Sequence, residues 1–296
     1  MKPKEHVQAK PESSSQFNWS PRLCCIVLAL LLGGSAGCAS APDTPAAKTA
    51  STPSATVSPA EKLAQPPDPQ AVEQERLRQA REHQLRQDWP NLRRYRDANA
   101  EVALPAPGET RVVFMGDSIT DFWIRKVPEF FAGKPYLDRG ISGQTTPQML
   151  LRFRQDVVDL KPKVVVILAG TNDIAGNTGA ATPGMIEDNL QSMVEIAQAN
   201  GIRPVLASVL PAADFYWAPG TEPAPKIAAL NAWIKDYAQQ HQLIFLDYYS
   251  AMVDEHLGLP DSLSEDGVHP NEAGYAIMGR LAEQAIAQAL QATPGR

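Results

Sequence analysis

The chain has 296 residues, 44% of them hydrophobic, with 27 Lys and Arg against 33 Asp and Glu for a net charge of −6. That is enough apolar material for one core with additional segments, and an acidic chain without a basic stripe excludes a nucleic-acid partner, which needs cations set against phosphates. The three cysteines, Cys24, Cys25 and Cys38, all fall near the N-terminus, so the rest of the chain has no disulfide, no thiol nucleophile and no cysteine metal ligand.

Lys2, Lys4, Lys10 and Arg22 precede the apolar run Ile26 to Leu32, and the small residues of GGSAGCAS follow it. The run is too short to span a bilayer, so residues 1–38 read as an export signal. Cys38, behind Ser35-Ala36-Gly37, is similar to a bacterial lipoprotein cleavage site. It is therefore a candidate for lipidation, which would anchor the exported chain at the cell envelope. Ser35 stands where that site usually carries an aliphatic residue, and ordinary signal cleavage would leave Cys38 incidental. Residues 39–69 are rich in Ala, Pro, Ser and Thr without periodicity, the composition of a flexible tether. Over 70–100 the chain predicts an N-terminal helix. Leu77, Leu85, Trp89 and Leu92 fall on one face of it and charges on the others, with Pro90 a place for a break.

From residue 110 onward, short apolar runs alternate with helical stretches. The runs are 111–115, 135–139, 163–169, 203–209 and 243–247, and the helices are expected at 120–131, 146–160, 183–200, 224–240 and 271–291. In the last helix Ile277, Leu281 and Ala285, with Met278, Ala282 and Ile286, form an apolar stripe. Strand–helix alternation with right-handed crossovers predicts an α/β fold, a three-layer αβα sandwich around a parallel sheet. Such sheets carry their sites at the carboxyl ends of the strands.

The loops at those ends hold the chemistry. Ser118 follows Gly116 and Asp117 and opens a helix, where free backbone N–H groups favour negative charge. Gly143, in RGISGQTT, can present an unobstructed N–H, and Asn172, in AGTND, can donate two hydrogen bonds while staying neutral. Asp266 and His269 lie three apart across Gly267, and Pro270 opens the last helix. A serine needs a base to take its proton, and an imidazole needs a carboxylate to fix its tautomer. Of the five histidines, His269 alone has a suitably placed acid. Asp117 and Asp173 read as turn or cap residues. Arg139 reads as half of a surface ion pair in preference to a site for an acidic substrate group. The long loop 211–225 carries Phe215, Tyr216 and Trp217, which either wall a substrate site or pack on the domain flank; Trp123 invites the same two readings.

The blocks GDSIT (116–120), GISGQT (140–145), GTND (170–173) and DGVHP (266–270), in this order, resemble those of the GDSL-type esterases and lipases, also called SGNH hydrolases. The resemblance covers roughly residues 110–291 and sets the domain at 105–293. It implies a flavodoxin-like five-stranded sheet in the order 2-1-3-4-5. It also implies Ser118 as nucleophile, His269 as base oriented by Asp266, and an oxyanion hole from the Ser118 and Gly143 N–H groups and the Asn172 side chain, with no metal and no cofactor. The expected activity is hydrolysis of small-molecule carboxylic esters, such as short acyl or acetyl esters of lipid or carbohydrate. Lysophospholipase or thioesterase action is the alternative, and a non-catalytic envelope binding protein would not require this set of residues.

Overall fold

In the computed structural model the described residues are 68–291; the export signal, Cys38 and all but the end of the tether lie outside them. Five short strands form one parallel sheet: β1 (Val112–Gly116), β2 (Tyr136–Gly140), β3 (Val164–Leu168), β4 (Arg203–Ala207) and β5 (Ile244–Leu246). Their order is β2-β1-β3-β4-β5, the flavodoxin-like arrangement. Every residue of β1 and β3 is buried, because helices cover both faces of a parallel sheet. Gly116 pairs with Gly140 on one side and Leu168 on the other, so three strands end level and their following loops meet.

Two cores result, one per sheet face. Val113, Met115, Val165 and Ile167 point to one, where α4 (Thr146–Asp156), α6 (Pro183–Ala199) and α7 (Pro223–Gln240) add residues such as Phe153, Leu190 and Ile227. Phe114, Val164, Val166 and Leu168 point to the other, against α3 (Ser118–Lys126) and α9 (Glu272–Gln291). Met278, Ala282, Ala285 and Ile286 of α9 are buried there as the stripe requires, with Ile277 and Leu281 packed at its edge.

Two helices stop short of their expected ends. α3 ends before Pro128, which disfavours helical geometry at Val127 (φ −137°, ψ 65°), and a 3-10 turn Pro128–Phe130 follows. α4 breaks at Val157 and gives way to a 3-10 turn Val158–Leu160. Short helices α5 (Thr171–Ile174) and α8 (Tyr249–Met252) lack the length that makes periodicity visible.

The N-terminal helix is not continuous. α1 spans Pro69–Gln87 and α2 spans Arg96–Glu101. Between them the Asp88 carboxylate accepts from the N–H groups of Leu92 and Arg93, Pro90 has no N–H to continue a helix, and Asn91 turns the chain at φ 55°. Trp89 and Leu92 therefore lie beyond the helix whose face they were expected to share. α1 buries no residue, and Leu77 is 54% exposed. Glu–Arg pairs along the helix itself, Glu73–Arg76 and Glu75–Arg78, support it in place of a buried stripe.

Candidate active site

Ser118 is the first residue of α3. Asp117 caps that helix by accepting from the Ile119 N–H at 3.0 Å, which holds the turn from β1. On the far side of the chain, Gly267 at φ 74° bends the loop before α9, and Asp266 and His269 turn to the same side. The Ser118 Oγ lies 2.8 Å from His269 Nε2, and His269 Nδ1 lies 2.7 Å from Asp266 Oδ2. A carboxylate only accepts, so Nδ1 carries the ring proton and Nε2 is left to accept from the serine hydroxyl. Burial pushes the Asp266 carboxyl up, but hydrogen bonds from the His269 backbone, the His269 ring and the Val268 N–H outweigh it and hold the group at about 2. It is therefore an anion across the neutral range and fixes the imidazole's orientation.

Opposite the imidazole, two loops converge. Gly143 adopts φ 75°, a conformation that favours glycine, with the Arg81 guanidinium close by. Asn172 is 3% exposed. Its amide donates to Asp117 Oδ2 at 3.2 Å and to the Gln144 carbonyl at 3.0 Å, and its oxygen accepts from Asn177 at 2.6 Å. Asn177 also donates to the Gly143 carbonyl and accepts from the Trp217 indole at 3.0 Å. Asp173 pins the start of α4 by accepting from the Thr146 N–H and hydroxyl, the cap role read from the sequence. Burial pushes the Asp117 carboxyl up to about 7, with the Asp173 charge adding to the effect and the Ile119 N–H opposing it.

Beneath both loops sits Arg152, fully buried. It donates to the Gln144 side chain at 2.5 Å, to the Gly116 carbonyl at 3.0 Å and to Asp156 at 3.0 Å. One guanidinium thus ties the strand end before Ser118 to the loop after Gly143. The N-terminal segment braces the same region: Tyr95 donates to the Gly140 carbonyl, Asn99 to Asp156, and Gln144 to the Pro90 carbonyl.

The aromatic expectations divide. Trp123 is 1% exposed, stacked on Phe130 and Tyr275 in the core, and is not a substrate wall. Phe122, one residue earlier and one helical turn after Ser118, is the ring that meets His269, at 5.0 Å between centroids. Phe215 is likewise fully buried, serving as a stacking base for Trp217. Trp217 stands 6.4 Å from the His269 ring, and Tyr216 is 65% exposed beside it. Arg139 is buried and not a surface partner: it lies over the Tyr95 ring and donates to Asn99. Sequence reasoning missed Phe122, Asn177 and Arg152. The four-residue step from Ser118 could have found the first; nothing local marks the other two.

A five-stranded αβα sandwich with a serine, histidine and aspartate gathered at the strand ends defines the hydrolytic class of this fold. The model of the GDSL-like lipase/acylhydrolase family matches residues 114–277, and the chain belongs to that family. The crystal structure of a GDSL-like lipase from Bacteroides thetaiotaomicron is 49% identical, with a TM-score of 0.67 over 68% of this chain and 100% of that one. A lipoprotein of Bacillus subtilis is 40% identical over 78 residues, which are 25% of this chain, so the match spans only 32% of that relative's length. An acetylxylan esterase of Geobacillus stearothermophilus is 27% identical over 152 residues, 49% of this chain and 68% of its own.

Proposed function

We propose that the protein cleaves carboxylic esters by acyl transfer through Ser118, His269 and Asp266. His269 Nε2 takes the Ser118 proton as Oγ attacks the ester carbonyl. The N–H groups of Ser118 and Gly143 hold the oxyanion together with the Asn172 amide, which turns one N–H to it from Asp117 or the Gln144 carbonyl, and Asp266 stabilises the imidazolium. His269 then protonates the leaving alcohol, and a water activated by the same imidazole releases the acid. The observation that carries this reading is the unbroken chain of contacts at 2.8 and 2.7 Å from Ser118 through His269 to Asp266. Short acyl or acetyl esters of lipid or carbohydrate are the proposed substrates, a reading supported by the similarity to an acetylxylan esterase.

The test is hydrolysis of p-nitrophenyl acetate by the wild type and Ser118→Ala. The variant is expected to fall to the uncatalysed rate with an unchanged Tm; equal rates would make the protein a binding module. Graded acyl lengths separate this reading from lysophospholipase or thioesterase action.

Residues 1–38 as export signal, 39–69 as tether and 105–293 as hydrolase domain complete the proposal, with lipidated Cys38 holding the enzyme at the cell envelope. The similarity to a lipoprotein supports it. Mass spectrometry of the mature N-terminus tests it, and an unmodified residue other than Cys38 there would remove the anchor.

A further inference from the structure

Hydrolysis at Ser118 would need somewhere to hold the rest of the substrate. In right-handed βαβ units each helix starts where its strand ends, so the N-termini of α4 and α6 lie at the same end of the sheet as Ser118. A cavity of about 410 Å³ opens there, walled by Trp89, Pro147, Thr178, Met185, Asp188 and Asn189. Its wall is connected to the segments that carry two of the three proposed oxyanion donors, Asn172 and Gly143. Asp173, also in its wall, is the residue after Asn172, and the Thr178 hydroxyl bonds that of Thr145, two residues after Gly143, at 3.0 Å.

The lining points to one kind of occupant. Trp89 offers an indole that is 37% exposed on a main chain that cannot drift: its carbonyl accepts from Gln148 at 2.7 Å, and that of Pro90 accepts from Gln144 at 2.7 Å. A flat ring with few rotatable bonds on an anchored main chain stacks a partner at low entropic cost. Beside it stand polar groups, the exposed Asp188 carboxylate and Asn189, whose side chain is oriented by its bond to Thr146 at 3.1 Å. An anionic headgroup would meet the exposed Asp188 carboxylate and be repelled. An acyl chain would strip water from Asp188 without replacing its hydrogen bonds. A neutral sugar ring has an apolar face for the indole and a rim of hydroxyls for the carboxylate and amide.

We propose that this cavity is a glycan subsite, taking a pyranose unit of an acetylated oligosaccharide whose ester lies at Ser118. The inference rests on the esterase reading for its orientation but is tested without it. Xylohexaose and chitohexaose carry no acetyl ester, and they separate a plant-type glycan from the aminosugar glycan of a cell wall. Each is titrated calorimetrically into the wild-type chain, Trp89→Ala and Asp188→Ala. Saturable binding of one glycan is expected, weakened about tenfold by loss of the indole and several-fold by loss of the carboxylate. Trp89 and Asp188 are exposed, so both variants should fold, as circular dichroism will check. Binding of neither glycan, or equal affinity in Trp89→Ala, overturns the subsite. So does a shift in Trp89→Ala from short toward different acyl lengths on p-nitrophenyl esters, which would make the cavity an acyl pocket. A wild type that binds glycan yet hydrolyses no ester would overturn the esterase reading alone.

Discussion

On one side of Ser118, Asp266 and His269 come from a single loop, and the bonds that orient them run among Ser264, Asp266, Val268 and His269. On the other side, Gly143 comes from a loop and Asn172 from α5, and they are held by groups spread from Pro90 to Trp217, with Gln144 and Arg152 buried among them. The acid–base arm is local and partly solvated. The oxyanion side is woven into the fold, with Arg152 and Asp156 as a fully buried ion pair below it. Geometry for the proposed proton transfer can thus be changed with little effect on stability, whereas geometry for the proposed charge stabilisation cannot. The Ser118→Ala variant already proposed should cost activity alone.

Three substitutions on the oxyanion side test that contrast. Arg152→Met strands Asp156 without its cation and should destabilise the protein by about 3–5 kcal/mol in urea unfolding. Turnover should also fall, on the order of 10²-fold where the variant stays folded, because Gly116 and Gln144 lose their common anchor. Wild-type stability here would dissolve the comparison. Asn172→Ala should lower kcat by about 10²–10³ and cost about 1–3 kcal/mol, since the Asn177 amide and the Gln144 carbonyl lose their partner. If only kcat moves, the oxyanion side is as independent of the core as the histidine arm.

The third substitution, Asp117→Asn, is read in the pH dependence of stability. Asp117 keeps its proton to about pH 7, whereas an unfolded carboxyl loses it near pH 4. Between those values the native state binds more protons than the unfolded one. The contribution of this group to stability is therefore present at low pH and lost as pH rises through about 7. Removing the carboxyl should make the decline of stability from pH 4 to 7 shallower, by at most about 1.4 kcal/mol per pH unit. Asp138, also raised to about 7 by burial, remains to titrate in the variant. An unchanged slope in urea titrations across that range would place the Asp117 proton elsewhere.

β1, β3, β4 and β5 were legible because each lies in a short apolar run between breakers, β2 more weakly because Asp138 and Arg139 interrupt it, and α9 because its stripe repeats over about three turns. Ser118 was legible at a strand end and helix start, and the Asp266–His269 pair by its three-residue spacing across Gly267 before α9. Trp123 and Phe215 were left between two readings for one reason. A bulky ring in a short helix or an irregular loop has no periodicity to say which way it faces. Rotation by one residue, about 100° on a helix, separates Trp123 in the core from Phe122 against His269. Arg152 was invisible because a charge on an amphipathic helix normally faces water.

The amino-acid sequence by itself determined the strand–helix alternation, and hence the layered sheet, and the residues able to take and give a proton at its end, since both depend on local pattern and residue type. Tertiary structure alone decided which aromatic rings reach the imidazole, and it placed a buried arginine under the loops that face the serine. It also joined residues 88–101 to the site. Those choices depend on contacts between segments tens of residues apart, and no local pattern encodes them.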